Sequence, residues 1–319
     1  MSVYYNLFQN NQTITQIPMI MNKNLTAPLI KRQSDYDICV TDFSIPTTTI
    51  PLLHFKSNNY YVALSYGLFC TSLIPIVYDS TLTGRTDDQN IYNIVQFIYM
   101  LNTTITTAWT ALKALTTVPG VCPYFYFNPI TQLTSCVTDT NYLVGTTPQV
   151  KIGFNLNLLR ALEGFCYSVS VAPLSSLGIR MYQLKLIDQK FNSDVPSSGL
   201  YTNTQESFNL NSFTDVVGLY IMTNLSIRNE WQDQSTQKPI LMEWFPEQLT
   251  LQSFHFNAIY HAETPYRQVS LISDDQINNL TCYVYYVLTD GTFNLVKLGP
   301  NSSAYIKLMF TLKESNKYA

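Results

Sequence analysis

Hydrophobic residues along this chain recur mostly at every second position, the period of a strand with one buried face. Tyr36, Ile38 and Val40 share one face, and Phe43 and Ile45 then fall on the other phase, which predicts a bulge or bend near Asp42. Residues 13–17, closed by Pro18, read as a strand, as do 60–65 and 68–77. Segments 124–129 and 133–137 look like a hairpin. Residues 150–154 form a strand leading into a short helix at 158–162, with Gly164 placed to end it. Residues 179–186 alternate again, and 192–211, polar with Pro196, reads as a long exposed loop or a crossing between domains. Segments 216–226 and 248–256 are strands. Cys282, Val284, Tyr286 and Leu288 alternate up to Asp290-Gly291, a type I′ hairpin signal. Ala304, Ile306, Leu308, Phe310 and Leu312 then face one way, with Lys307, Thr311 and Lys313 facing the other.

One stretch breaks the two-residue period. Ile91, Ile94, Ile98, Leu101, Ile105, Ala108, Leu112 and Leu115 alternate three- and four-residue steps, which predicts an amphipathic helix. Asp87-Asp88-Gln89-Asn90 would supply its N-cap oxygens. The polar face carries Asn, Thr and Gln with Lys113 alone, so packing on a sheet fits better than lying on a membrane surface. Many short strands, one good helix and long connections predict a mainly β, antiparallel sandwich of jelly-roll type.

Composition agrees and adds a constraint. Charged residues make up only 12% of the 319, against about 25% in an average soluble protein. The hydrophobic fraction is an ordinary 46%, so neutral polar residues and aromatics (Tyr 23, Phe 17, Trp 3) fill the gap. Disordered chains and charged helical bundles are excluded. A neutral polar surface suits a molecule packed against neighbours, because charge is depleted at the centre of interfaces. The net charge is −3 and the longest basic run is Lys31-Arg32, so no basic patch for nucleic acid is expected. No apolar run is long enough to cross a membrane. The first Lys is Lys23, so no basic signal-peptide start is expected. Cys39, Cys70, Cys122, Cys136, Cys166 and Cys282 are scattered without CxxC spacing and read as reduced thiols. The sequons at Asn11, Asn24, Asn102, Asn224, Asn279 and Asn301 read as accidents of an Asn- and Thr-rich chain.

Candidate chemistry is sparse. His255 and His261 could share a side with Glu263 as third metal ligand, and His54 stands apart. The spacing follows no metal-site rule, so surface or structurally satisfied histidines are the simpler reading. Cys166 near Gly164 reads as a structural thiol. Glu243 and Glu247 flank Trp244-Phe245-Pro246, a pair of carboxylates beside aromatics as a glycoside hydrolase would need; a loop anchored by Trp244 is the plainer alternative. Asp87-Asp88 and Asp274-Asp275 lack the spaced oxygens of a calcium loop. Phosphate loops and the G-x-S-x-G elbow are missing from the sequence. The expectation is therefore no catalytic, cofactor or metal residues, and no enzyme.

Four segments carry a family resemblance. The run from Ser34-Asp35-Tyr36 through Asp42-Phe43-Ser44-Ile45-Pro46 resembles a strand of the minor capsid proteins of virophages and Polinton-like viruses. Asn90-Ile91-Tyr92 through Phe97-Ile98-Tyr99-Met100-Leu101-Asn102 is similar to their helix, and Pro123-Tyr124-Phe125-Tyr126-Phe127-Asn128-Pro129 to the aromatic hairpin after it. The stretch from Val284 to Phe310, ending Ser303-Ala304-Tyr305-Ile306-Lys307-Leu308-Met309-Phe310, resembles their closing hairpin. In place of a frequent Trp-Lys-Asp lead-in the chain has Tyr285-Tyr286-Val287-Leu288. The resemblance implies a penton in the virion: a jelly-roll subunit, five around each icosahedral vertex, beside hexons of a separate major capsid protein and made in the host cytoplasm. It places the core at 1–65 and 206–319, with 66–205 as a mixed α/β insertion carrying the helix. No active site comes with it. The alternative is a carbohydrate- or receptor-binding jelly roll with Trp231, Trp244 or several Tyr on one exposed face.

Overall fold

A computed structural model describes residues 2–82, 89–186, 190–191, 200–207, 213–228, 239–244, 257–262 and 267–313. The chain divides into two compact units, Met1–Pro51 with Val216–Ala319, and Leu52–Asp215. The second unit begins earlier and ends later than the expected 66–205, because Tyr61–Tyr66 is an inner strand of its larger sheet.

Among the described residues eight main strands build the first unit: β1 (Ser2–Asn11), β2 (Ile20–Asn24), β3 (Tyr36–Pro46), β4 (Val216–Thr223), β5 (Ile240–Trp244), β6 (Asn257–His261), β7 (Asn279–Leu288) and β8 (Ser302–Leu312), with the shorter Ile17–Pro18, Val269–Ser270, Phe293–Leu295 and Lys297–Leu298 beside them. They pair antiparallel in two sheets, one ordered β1-β8-β3-β6 and the other β2-β7-β4-β5. Those two orders define an eight-stranded jelly roll, and the second unit is inserted between β3 and β4. The inner faces of both sheets feed one apolar cluster, including Ile38, Val40, Phe43 and Ile45 from β3, Cys282, Val284, Tyr286 and Leu288 from β7, and Ala304, Ile306, Leu308 and Phe310 from β8.

The change of phase in β3 is a bulge. Val40 pairs with Leu308 and Asp42 with Lys307, so Thr41 is the extra residue. It turns Ile38 and Val40 on one side, and Phe43 and Ile45 on the other, toward the same core. At the other hairpin Gly291 takes φ +82° and its N–H donates to the Leu288 carbonyl at 2.8 Å. Neither Thr289 nor Asp290 has positive φ. The turn is thus a three-residue connection with glycine in the left-handed position, and not the expected type I′.

One strand was missed and three other expectations are corrected. β1 escaped the pattern because apolar Tyr4 and Phe8 occupy its outer positions as well as Val3, Tyr5 and Leu7 its inner ones. Residues 13–17 are mostly loop: Ile14 is 94% exposed, and only Ile17–Pro18 pairs, with Lys297–Leu298. The run 68–77 holds two short strands, Phe69–Cys70 and Ile74–Pro75. Within 192–211, Tyr201–Thr204 is a strand, while 192–199 and 208–211 lie outside the described residues, as does the expected strand 248–256.

The second unit has a sheet ordered Tyr167–Val169, Met181–Leu184, Val150–Asn155, Tyr61–Tyr66 and Phe69–Cys70. A four-stranded sheet follows the order Tyr124–Asn128, Leu133–Thr138, Tyr201–Thr204 and Lys190–Phe191. Helix α1 (Ile94–Leu115) contacts strands of both sheets. It buries Ile94, Phe97, Ile98, Leu101, Ile105, Ala108, Trp109 and Leu112. Phe97 meets Tyr60 edge-on at 5.5 Å and Phe213 at 5.3 Å, while Trp109 stacks on Tyr142 at 6.3 Å.

Helix α1 starts later than its apolar spacing suggests. Asn93 is the N-cap, its side chain accepting from Gln96 N at 2.8 Å, and Ile91 belongs to a short strand paired with Leu53. Asp87 and Asp88 lie outside the described residues. The short helix is Leu156–Ala161, capped by Asn155. Gly164 follows with φ +96°, where an added Cβ would sit 2.1 Å from the Ser207 carbonyl oxygen.

Candidate functional site

A group of charged and polar side chains lies on the face of the β1-β8-β3-β6 sheet away from its core. Lys307 on β8, Asp42 on β3 and His261 on β6 pair in one row, and Tyr4 on β1 lies two residues along from Asn6, the β1 partner of Lys307. The bulge at Thr41 turns Asp42 to this face, since without it the β3 alternation would send residue 42 to the core side. His261 Nδ1 lies 2.6 Å from Asp42 Oδ1 and Lys307 Nζ 3.4 Å from Oδ2, with the Thr41 hydroxyl donating to Oδ2 at 3.2 Å. Lys307 also sits 5.4 Å from the centre of the Tyr4 ring. Partial burial alone would raise the Asp42 pKa, but the bonds from His261 and Thr41 and the Lys307 charge hold it below the ordinary carboxylate value. Together with Ala262 these residues line an open cavity of about 320 Å³. The row is a closed charge network that ties β6 and β8 to β3. Among the described residues no three His, Cys, Asp or Glu side chains converge on a metal-sized point.

The other candidates do not converge. His255 and Glu263 lie outside the described residues. His54 Nδ1 is 2.9 Å from Asn90 Oδ1, and its backbone N–H donates to Asp215, whose carboxyl burial pushes up. Glu243 accepts from the Tyr220 hydroxyl, and Glu247 is outside the described residues. Trp244 points inward, edge-on to Phe43 at 6.0 Å, whereas Trp231 is outside the described residues. Asp274 is held by Arg32 Nε at 2.9 Å and by the Ser34 hydroxyl. Burial raises Cys39 to about 11 and Cys282 to about 12, so both stay thiols. Cys166 is exposed, with its sulfur near Glu206.

Several sequon asparagines already have structural partners. Asn11 donates to the carbonyls of Thr15, Leu298 and Gly299, and Asn102 bonds both backbone groups of Phe125. Asn24, Asn224 and Asn279 form one linked amide cluster. Sequence reading missed Tyr4 and Asp42 as members of the charge row; the phase break at Asp42 was the signal available for one of them.

The two facing sheets define a jelly roll in which the charge row ties strands together. The family model for Sputnik minor capsid protein V18/19 matches residues 3–312. The chain belongs to that family, a family of structural capsid proteins and not of enzymes, which places it in the virion. Among individual relatives, an uncharacterized protein V18 of Sputnik virophage is 27% identical, covering 39% of this chain and 91% of its own. A chain of the Sputnik virophage, from its 3.5 Å electron cryo-microscopy structure, superposes with TM-score 0.78 at 20% identity over 99% of both chains. The mavirus penton protein superposes with TM-score 0.70 at 15% identity, covering 98% of this chain and 99% of its own. No helix among the described residues is long and apolar enough to cross a membrane.

Proposed function

We propose that the chain is the penton of an icosahedral virion, five copies closing a ring at each vertex and contacting hexons of a separate major capsid protein, after synthesis in the host cytoplasm. The observation that carries this reading is the likeness over nearly the whole of both chains to the mavirus penton protein. The surface supports it. On helix α1 the exposed Thr103, Thr106, Thr107 and Thr110 donate their hydroxyls to the carbonyls four residues back, at 2.9–3.1 Å. Their donors are already satisfied, so covering that face costs little desolvation. Heterologous contacts between identical copies close a ring without needing charge pairs. Co-expression with the major capsid protein, followed by sedimentation, tests the reading. The chain should co-sediment with assembled shell; shells that assemble and exclude it would overturn it.

The carbohydrate-binding alternative retains one observation. Tyr220 and Tyr285 are cross-strand partners, and Tyr283 lies on the same side of β7, away from the core-facing Cys282, Val284 and Tyr286. The inward Trp244 counts against it. Glycan-array binding by the purified chain would favour this reading.

A further inference from the structure

We infer that β1 is a docking edge, which takes an extended, uncharged segment of another capsid chain as an added strand. This rests on the penton reading above and names one of its contacts with the shell. Among the described residues β1 pairs with β8 and with no second strand, so alternate residues along it direct N–H and C=O away from the sheet. Natural sheets guard such edges with charges, prolines or bulges, or cover them. Three other edge strands of this chain are guarded. Lys23 lies on β2 and Glu243 on β5. On the edge strand Tyr124–Asn128 the amide of Asn102 takes both backbone groups of Phe125. β1 is different: ten residues, SVYYNLFQNN, with no charge, no proline and an unbroken register against β8.

The side chains of β1 select the occupant. Val3 and Tyr5 pack against the apolar cluster yet stay only half-buried, whereas Leu7 farther along is 3% exposed. The core is therefore open along this edge. An added strand places alternate residues beside Val3 and Tyr5, where a charge would be buried with no counter-ion in β1. Its inward positions are apolar for that reason. On the opposite face Tyr4 and Phe8 are 54% and 67% exposed. Such residues pair best across strands with aromatic or β-branched partners. The fitting segment is neutral and alternately apolar, held first by backbone pairing and then by these side chains. The β1 strand of a second copy is not that segment. Two β1 edges meet only about a twofold axis, which joins separate rings and not neighbours within one.

Amide hydrogen exchange tests the contact, read by mass spectrometry on residues 2–11 in the free chain and in shells co-assembled with the major capsid protein. About half of the β1 amides should exchange fast in the free chain and become protected in the shell. The double variant Asn6→Lys, Phe8→Lys adds charge at two exposed positions of the edge. It should keep the native mass of the free chain and enter shells at least about tenfold less than the wild type. Wild-type chain that enters shells with no gain in β1 protection would overturn the contact and leave the penton reading standing. Undiminished entry of the double variant would do the same. Full β1 protection in the free chain, at a native mass above one subunit, would overturn the contact in favour of a second copy as occupant. Shells that exclude the wild-type chain would overturn both.

Discussion

In the jelly-roll unit, side chains from two sheets alternate into one apolar cluster, and the strands are specified by that alternation. In Leu52–Asp215, strands and helix are instead fastened at intervals by polar side chains that take the place of backbone pairing. Asn102 on α1 accepts from Phe125 N and donates to Phe125 O, each at 2.7 Å. Asn155 accepts from Tyr61 N at 3.0 Å and donates to the Asn59 carbonyl at 2.8 Å. Asp139 accepts from Val121 N and Asn141 N, and Gln205 bridges Thr134 N to the Glu163 carbonyl. The difference explains how a chain with 12% charge stays specific. Both units pack apolar side chains, and Leu52–Asp215 adds polar clamps whose loss would leave buried backbone groups unpaired.

The comparison can be tested from both sides. Phe310, fully buried in the jelly-roll cluster, should cost about 3–5 kcal/mol when changed to Ala, read by denaturant unfolding. Asn102→Ala removes little apolar area yet orphans both backbone groups of Phe125, and should cost about 2–4 kcal/mol. A cost near zero would show that the Asn102 clamp adds nothing to the packing of α1. Asn93→Ala should cost about 1 kcal/mol through the lost N-cap of α1. The smallest effect is in the jelly roll's charge row. Asp42 has a depressed folded pKa, so it contributes stability above the ordinary carboxylate pKa of about 3.9, and loses it as pH falls below that value. The contribution should be at most about 1 kcal/mol for this partly solvated group. Asp42→Asn should flatten the corresponding part of the acid-unfolding curve; an unchanged curve would show that the row does not couple to folding.

The two units were also unequally legible. β7 and β8 stand out because each strand puts apolar residues on one face and polar ones on the other, and the break at Asp42 betrayed its bulge. β1 was hidden because Tyr4 and Phe8 make both its faces apolar. Ile91 extended the helical spacing by coincidence, and the amide of Asn93 set the start of α1. Clamps such as Gln205 to Thr134 join residues far apart in the chain, and no local period reports them. The charge row has the same character: Tyr4, Asp42, His261 and Lys307 come together only when the order β1-β8-β3-β6 is known. Its Asp42–His261 and Asp42–Lys307 contacts run between strands.

Native mass measurement of the purified chain, alone and with the major capsid protein, tests the account most directly. Five times the 36.4 kDa subunit mass is the predicted species, in at least the co-expressed sample. A subunit that stays at 36.4 kDa at high concentration in both samples would contradict an account in which the neutral surface exists to be covered by copies of itself.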